Sequence, residues 1–385
     1  MNSKMKNKLK FKVLKTKWKA RVGEIELNGV KLTTPVFMPV GTKAAVKAIL
    51  PEFLLNSKFW LGVESSVKII LNNTFHLYLR PGDKYIKKVW WLHKFQSWPN
   101  LILTDSWGFQ VFSLGLANHR QSSNKSQLPS LVKLKEDGVE FRSPLDGSKH
   151  FFTPERVVDI QMNLWSDIMM VLDVCSPVHN ISKEEVEYQM NLTHRWAKRA
   201  FEYFLPKYNQ ARGVLFPIVQ WWIYKDLREE SAKFLSQFAI DGIAIGGLSV
   251  WETKDQMYEV LNFLSDLLPK DKPRYLMGVW TPEDIRQAIY EWVDMFDCVL
   301  PTRLGRHGTV FSSEWLLKLR NAKYREDFRP IDESCGCYTC RTFTRAYLHH
   351  LIRENEINAS ILLSLHNIAY LHRLVEDIKK EILEE

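Results

Sequence analysis

Val214–Val219 (VLFPIV), Lys225–Phe238 (KDLREESAKFLSQF) and Gly242–Gly246 (GIAIG) form a short apolar run, a stretch of helical period and a second apolar run. Runs that are apolar throughout suit parallel strands buried on both faces, and the segment between them has the length of one crossover helix. The unit recurs in both directions. Upstream lie Pro35–Val40, Lys68–Asn72, Leu101–Thr104 and Ile168–Leu172; downstream lie Arg274–Val279 and Met295–Leu300. Helical period is read at Glu184–Phe204, Thr253–Leu268 and Thr281–Trp292, the last with Pro282 at its first position. Eight buried-type strands alternating with helices predict an α/β chain folded as a (β/α)8 TIM barrel. The alternative is an open doubly wound sheet, but no G-x-G-x-x-G follows the first strand.

Two stretches do not fit the repeat. The spacing between the third and fourth strands is too long for one helix. Gly138–Ser143 and His150–Phe152 flank the turn Asp146-Gly147 and read as a hairpin inserted on the barrel rim. Beyond residue 300 the chain is basic and cysteine-bearing, then helical. The expected division is a basic N-terminal tail over 1–21 and a single barrel domain over 22–385, with a zinc-binding subdomain from about 304 to 385.

The chain has 385 residues, 45% hydrophobic and 25% charged, which excludes a disordered or fibrous protein. No apolar run approaches the roughly 18 residues of a membrane span, and no secretory signal is read at the start. Five cysteines are too few, and odd, for a disulfide framework. A reducing, cytoplasmic setting is expected. The net charge is +9. Residues 1–21 carry nine Lys or Arg and no acid, a composition that suits a solvated tail. Residues 301–325 carry six against the single acid Glu314, which suits a polyphosphate partner.

Polar or small residues stand where the apolar runs end: Gly41-Thr42, Asn73-Thr74 with His76, Asp105-Ser106, Asp173, Gln220, Gly246-Gly247 and Gly278, with Asp297 within the last strand. In a barrel these ends converge on one mouth. Carboxylates at three of them are hard to explain by packing, because a buried Asp is costly unless paired or functional. From the residues alone, Asp297 suits pairing with an Arg as well as catalysis, Asp105-Ser106 suits a helix cap, and Phe109 and Met277 suit the core. A metal-dependent hydrolase would need ligands converging at the mouth, where only His76 stands. Cys335-x-Cys337-x2-Cys340 sets three thiolates within six residues, a structural zinc pattern. His366 is the fourth ligand chosen, although His349, His350 and His372 lie nearby.

Taken together, Thr34–Thr42 (TPVFMPVGT), Asn73–Gly82 (NTFHLYLRPG), Leu103–Leu114 (LTDSWGFQVFSL), Asp173–Pro177, Ala244–Val250 (AIGGLSV), Pro273–Val279 (PRYLMGV), Met295–Arg303 (MFDCVLPTR) and the cysteine segment resemble the tRNA-guanine transglycosylase family, in order and spacing, from about residue 20 to 380. The resemblance implies a pentosyltransferase of queuosine biosynthesis. Such an enzyme exchanges guanine at the anticodon wobble position of tRNA for 7-aminomethyl-7-deazaguanine through a covalent Asp–ribose intermediate. It implies Asp297 as nucleophile and Asp105 as general acid/base. Asp173, Gln220, the Gly247 N–H, the Leu248 carbonyl and Ser106 would surround the base, with Phe109 and Met277 sandwiching it. Arg303 and Arg306 would bind RNA. One structural Zn2+ per chain, tRNAs with a GUN anticodon and a homodimer are further implications. Cys175 and Val250 match the bacterial type.

One departure from the family is systematic. Glycine is scarce, 17 of 385, and tryptophan abundant, 14. Eleven tryptophans stand where the family has glycine: Trp18, Trp90, Trp91, Trp107, Trp165, Trp221, Trp222, Trp251, Trp280, Trp292 and Trp315. Trp98 and Trp196 match family tryptophans, and Trp60 has no assignment. Three readings stay open: UGA glycine codons rendered as tryptophan, a deliberately altered sequence, or an impaired paralogue that binds tRNA or a partner subunit.

Overall fold

The computed structural model describes residues 7–60, 66–106, 132–174, 181–221, 223–238, 241–248 and 252–384. Phe109, Cys175, Val250, Trp107, Trp222 and Trp251 lie outside them.

Seventeen strands are described. β1 (Lys10–Lys17), β2 (Ala20–Leu27) and β3 (Val30–Thr34) form an antiparallel sheet. β4 (Val36–Gly41), β5 (Ile69–Asn72), β6 (Leu101–Thr104), β10 (Ile168–Met170), β11 (Val214–Phe216), β12 (Ile218–Val219), β13 (Ile243–Ile245), β14 (Arg274–Leu276) and β15 (Met295–Cys298) form one parallel sheet. β7 (Val132–Lys135), β8 (Gly138–Arg142) and β9 (Lys149–Phe152) make the rim insertion, and β16 (Thr309–Val310) pairs with β17 (Leu317–Lys318).

The parallel sheet runs β11-β10-β6-β5-β4-β15-β14-β13-β12. Its two outer members, β11 and β12, are consecutive in the chain and separated only by Pro217. They are therefore two halves of one strand, and the sheet closes into the expected eight-stranded barrel. Proline lacks a donor and so interrupts the ladder. The first half serves β10, with the Val171 N–H donating to Phe216 O at 3.2 Å; the second serves β13, with the Ala244 N–H donating to Pro217 O at 2.9 Å.

Helices alternate with these strands close to the positions read from periodicity. Lys183–Phe204 starts on Ser182, whose hydroxyl accepts from the Glu185 N–H. Lys254–Leu267 and Pro282–Ile289 both begin with a capping box, on Thr253 and Thr281.

The N-terminal segment differs from expectation. Read as a basic tail, it forms β1 from Lys10 onward, one face of which is part-buried by alternation. Arg21 is fully buried in an ion pair with Asp294, at 2.6 and 2.9 Å. Asp294 precedes β15 and also accepts from the Arg274 N–H at 2.7 Å, so the sheet is pinned where β14 and β15 begin. The rim insertion likewise has three strands and not two, because β7 precedes the expected hairpin.

The long helix Ile357–Leu383 packs along β1, β2 and β4 and crosses the short helix Leu300–Arg306. That crossing is close. A Cβ on Gly305 would lie 2.6 Å from the Ser364 nitrogen.

Candidate active site and metal centre

The ends of β6, β15 and the segment after β10 place Asp105, Asp297 and Asp173 at the barrel mouth, each no more than 9% exposed. Their surroundings differ. Asp105 Oδ2 accepts from Asn73 Nδ2 at 2.5 Å, and its Oδ1 accepts from the Thr74 N–H at 3.0 Å. Asn73 is itself the cap of the helix Thr74–Leu79, accepting from the His76 N–H. Asp105 is thus held by the cap of another helix.

Asp297 Oδ1 accepts from the Tyr275 hydroxyl at 2.7 Å and from the Gly278 N–H at 2.8 Å. No donor reaches its Oδ2 among the described residues. Burial raises the Asp297 pKa against these two bonds. Burial, then Asp297, then Asp105 push the Tyr275 pKa well up, so that hydroxyl stays a donor. Both carboxylates thus act on one phenol. Cys298, next in sequence, has its thiol pKa raised by burial and is no candidate thiolate.

Asp173 belongs to a third environment. Its Oδ1 accepts from the Ser106 hydroxyl and its Oδ2 from Gln220 Nε2, both at 2.8 Å. Burial raises its pKa to about 6 despite these bonds. Gln220 also donates to Val174 O at 2.8 Å, so its amide is oriented, with Oε1 turned toward the glycine pair. A Cβ on Gly247, whose φ is +65°, would lie 3.4 Å from Gln220 Oε1; one on Gly246 would lie 3.7 Å from both Gln220 Oε1 and Met277 Sδ. Ser106, Asp173, Gln220, Gly246-Gly247 and Met277 therefore line one recess. Leu248 follows, buried. Trp221 is also buried against this group, and its indole nitrogen has no partner.

Outside the mouth the surface is cationic. Lys43, Lys47, Arg303 and Arg306 are exposed. The Lys47 pKa is lowered by part-burial and then by Arg306, Lys43 and Arg303. His76 is held below its ordinary value by burial and then by Lys43 and Lys47. The segment after β4 and the helices Thr74–Leu79 and Leu300–Arg306 thus share one positive field.

Cys335, Cys337, Cys340 and His366 bring their ligand atoms within 4.8 Å of one another, and no other group of three or more candidate ligands occurs among the described residues. The three sulfurs lie 3.8, 3.6 and 3.2 Å from His366 Nδ1. His366 Nε2 lies 2.7 Å from Phe311 O, which fixes the ring with Nδ1 toward the thiols. Three thiolates and one oriented imidazole in a closed, buried set fit a tetrahedral zinc ion. His349 is turned elsewhere, with Nδ1 2.7 Å from Leu319 O.

The sequence matches the profile of the family described as Queuine tRNA-ribosyltransferase over residues 16–385. The Queuine tRNA-ribosyltransferase of Caldanaerobacter subterraneus subsp. tengcongensis is 50% identical over 379 residues, covering 98% of this chain and 94% of its own. That of Acinetobacter baylyi is 47% identical over 371 residues, covering 96% and 90%. This chain belongs to the queuine tRNA-ribosyltransferase family.

Most residues that the sequence singled out for this family are brought together. Asp105, Asp297 and Tyr275 form one cluster; Ser106, Asp173, Gln220, Gly247, Leu248 and Met277 form the adjoining recess. Phe109 lies outside the described residues. Arg303 and Arg306 sit on the cationic rim, and Lys43 and Lys47 join them unforeseen. Sequence reading also missed Arg228. It is fully buried, with its pKa lowered by burial to about 9, and donates to Gly246 O at 3.1 Å and to Gly247 O at 3.4 Å. It therefore shapes the glycine turn from behind. A lone Arg inside a helical run carries no signal of that role.

Proposed function

We propose that this chain exchanges guanine at the wobble position of tRNA for a 7-deazaguanine base, taken as 7-aminomethyl-7-deazaguanine. The observation that carries the reading is three mouth carboxylates in three different environments. Asp297, with Oδ2 free of donors among the described residues, attacks ribose C1′ from one face. The C1′–N9 bond breaks, its electron pair stays on N9, and the Asp105 carboxyl supplies the proton. The incoming base then attacks C1′ through N9, the Asp297–C1′ bond breaks, and the N9 proton returns to Asp105. Protons balance over the cycle.

Asp173 suits the guanine N1–H and exocyclic amine, because both of its oxygens face the recess. Gln220 Oε1 and the Gly247 N–H complete the polar wall, Leu248 offers its carbonyl, and Phe109 and Met277 take the ring faces. Arg303 and Arg306 hold the anticodon. Zinc, held by the Cys3His set, fixes the fold around the Leu300–Arg306 helix and takes no part in the exchange. A GUN-anticodon tRNA set, a homodimer and a cytoplasmic setting belong to the same proposal.

One observation favours a second reading. Trp221 follows Gln220 directly and is buried, with its indole nitrogen unpartnered, which suits a chain that binds tRNA without exchanging its base. Trapping separates the two. Mixed with guanosine-34 tRNA and quenched in denaturant, the chain with glycine at the eleven tryptophan sites should leave a covalent protein–RNA adduct. Asp297→Ala should lose it. An undiminished adduct in that variant transfers the nucleophile role to Asp105. No adduct in either protein leaves the tRNA-binding reading in place.

A further inference from the structure

Twelve described non-glycine residues have φ in the left-handed half of the map, and seven of them are tryptophan: Trp18, Trp90, Trp91, Trp165, Trp221, Trp292 and Trp315. The other five are two Asn, two Ala and one Ser, small residues that tolerate it. Positive φ occurs in only a few per cent of non-glycine residues, so of the eleven tryptophans whose backbone is described less than one is expected there. For a bulky side chain it places Cβ against the following carbonyl oxygen.

The positions are also those where chain geometry asks for glycine. Past the helix Pro154–Leu164, the Trp165 N–H donates to Met162 O at 3.1 Å and the Ser166 N–H to Gln161 O at 3.2 Å. Past Pro282–Ile289, the Trp292 N–H donates to Ile289 O and the Val293 N–H to Ala288 O, both at 3.2 Å. Both are helix ends of the kind closed by one left-handed residue, usually glycine, and here that residue is tryptophan. Trp18 is the first of two residues joining β1 to β2, with φ +52°. A two-residue hairpin of that geometry calls for glycine first.

The indoles themselves separate the same way. Trp98 and Trp196, at ordinary φ, are at most 2% exposed and donate from Nε1 to Leu101 O at 3.0 Å and Glu136 O at 2.6 Å. Among the seven, Trp18, Trp90 and Trp315 are exposed at 63% or more, and the indole nitrogens of Trp91 and Trp221 are buried with no partner. Trp91 and Trp165 stack on each other at 4.4 Å. Trp292 does find cations, with Arg21 and Lys270 each 5.2 Å from its ring, so the indoles differ among themselves and the feature all seven share is the backbone.

We infer that positions 18, 90, 91, 165, 221, 292 and 315 carry glycine in the polypeptide made by the source organism. Their codon is UGA, which one genetic code reads as glycine and another as tryptophan. Chance substitution in a decaying gene has no reason to select residues by φ. The inference rests on backbone conformation and not on the assignment of the base site, so it stands or falls without any activity measurement. Trp280, at ordinary φ, and the three positions outside the described residues are not included.

Peptide masses of the protein purified from the source organism decide it. Each of the seven sites should be lighter by an indolylmethyl group replaced by hydrogen, while peptides containing Trp98 and Trp196 keep theirs. Tryptophan at any of the seven overturns the inference, as does UGG in the gene at that site. Recombinant chains give a second reading. The chain with Trp→Gly at all seven should melt about 10 °C or more above the chain as written. An equal or lower melting temperature would show that the backbone does not need glycine there.

Discussion

Asp173 is buried against Ser106 and Gln220, with its carboxyl pKa raised to about 6. Its proposed task needs the ionised form, which only accepts. Below about pH 6 the acid is neutral and one oxygen turns donor, facing the N–H groups of the base. Affinity for the free base should therefore fall as pH drops, by about tenfold per unit once well below 6. Base titrations between pH 5 and 7.5 check this; a flat profile would remove Asp173 from base recognition. The raised value also has a stability consequence of fixed sign. Between the ordinary 3.8 of an aspartate and about 6 the folded chain keeps a proton that the unfolded chain has lost, so raising pH through that window costs stability. The three aspartates were legible in the sequence because Asp105 and Asp173 end apolar runs and Asp297 interrupts one, where packing gives no reason for a carboxylate. Tyr275 was not. It lies inside the run RYL, where a phenol reads as core, and only the structure shows its hydroxyl on Asp297.

At the level of elements, the helix Ile357–Leu383 links the Cys3His set to the mouth. Asn367, next to His366, donates to Pro301 O at 3.0 Å and Thr309 O at 3.1 Å and accepts from the Phe311 N–H at 2.9 Å. Pro301 opens the helix that carries Arg303 and Arg306. Metal analysis of the purified protein should find one zinc per chain, and Cys337→Ala combined with Cys340→Ala should lose it together with a clear drop in melting temperature. Zinc retained by the double variant would mean that the four residues are not its ligands. The cationic rim is tested by salt. Lys47→Ala with Arg303→Ala should lower the slope of log affinity for tRNA against log salt by about 1 to 2, and an unchanged slope would place both residues off the RNA path. Arg303 was visible as part of a basic cluster in the sequence. Lys47 was not, since it lies some 250 positions away and only barrel closure joins β4 to β15. β1 was missed for a related reason: its Lys-rich alternation resembles a solvated tail until the partner strand is known.

The whole molecule is pinned at one end of the barrel by Arg21 and Asp294, both wholly buried. Asp294→Ala should destabilise the chain by about 3–5 kcal/mol, because it strands a buried guanidinium. Denaturant unfolding measures this, and a loss under about 1 kcal/mol would mean that water reaches Arg21 once the partner is gone. The barrel was legible from the recurrence of one strand–helix unit, but its seam was not, since VLFPIV reads as a single strand. That seam divides the cylinder mechanically. Asp297 stands on the wall where β15 and β4 pair over four consecutive residues, whereas Gln220 follows the half-strand cut off by Pro217. Amide hydrogens beside the break, on Val171 and Ala244, should therefore exchange sooner than those of β15 and β4, and equal protection in hydrogen exchange would show that the seam is no weaker than the rest of the ring. On that expectation, a site proposed to let one heterocycle go and admit a different one has its compliance on the side proposed to read the heterocycle, and its stiffness on the side proposed to hold the sugar.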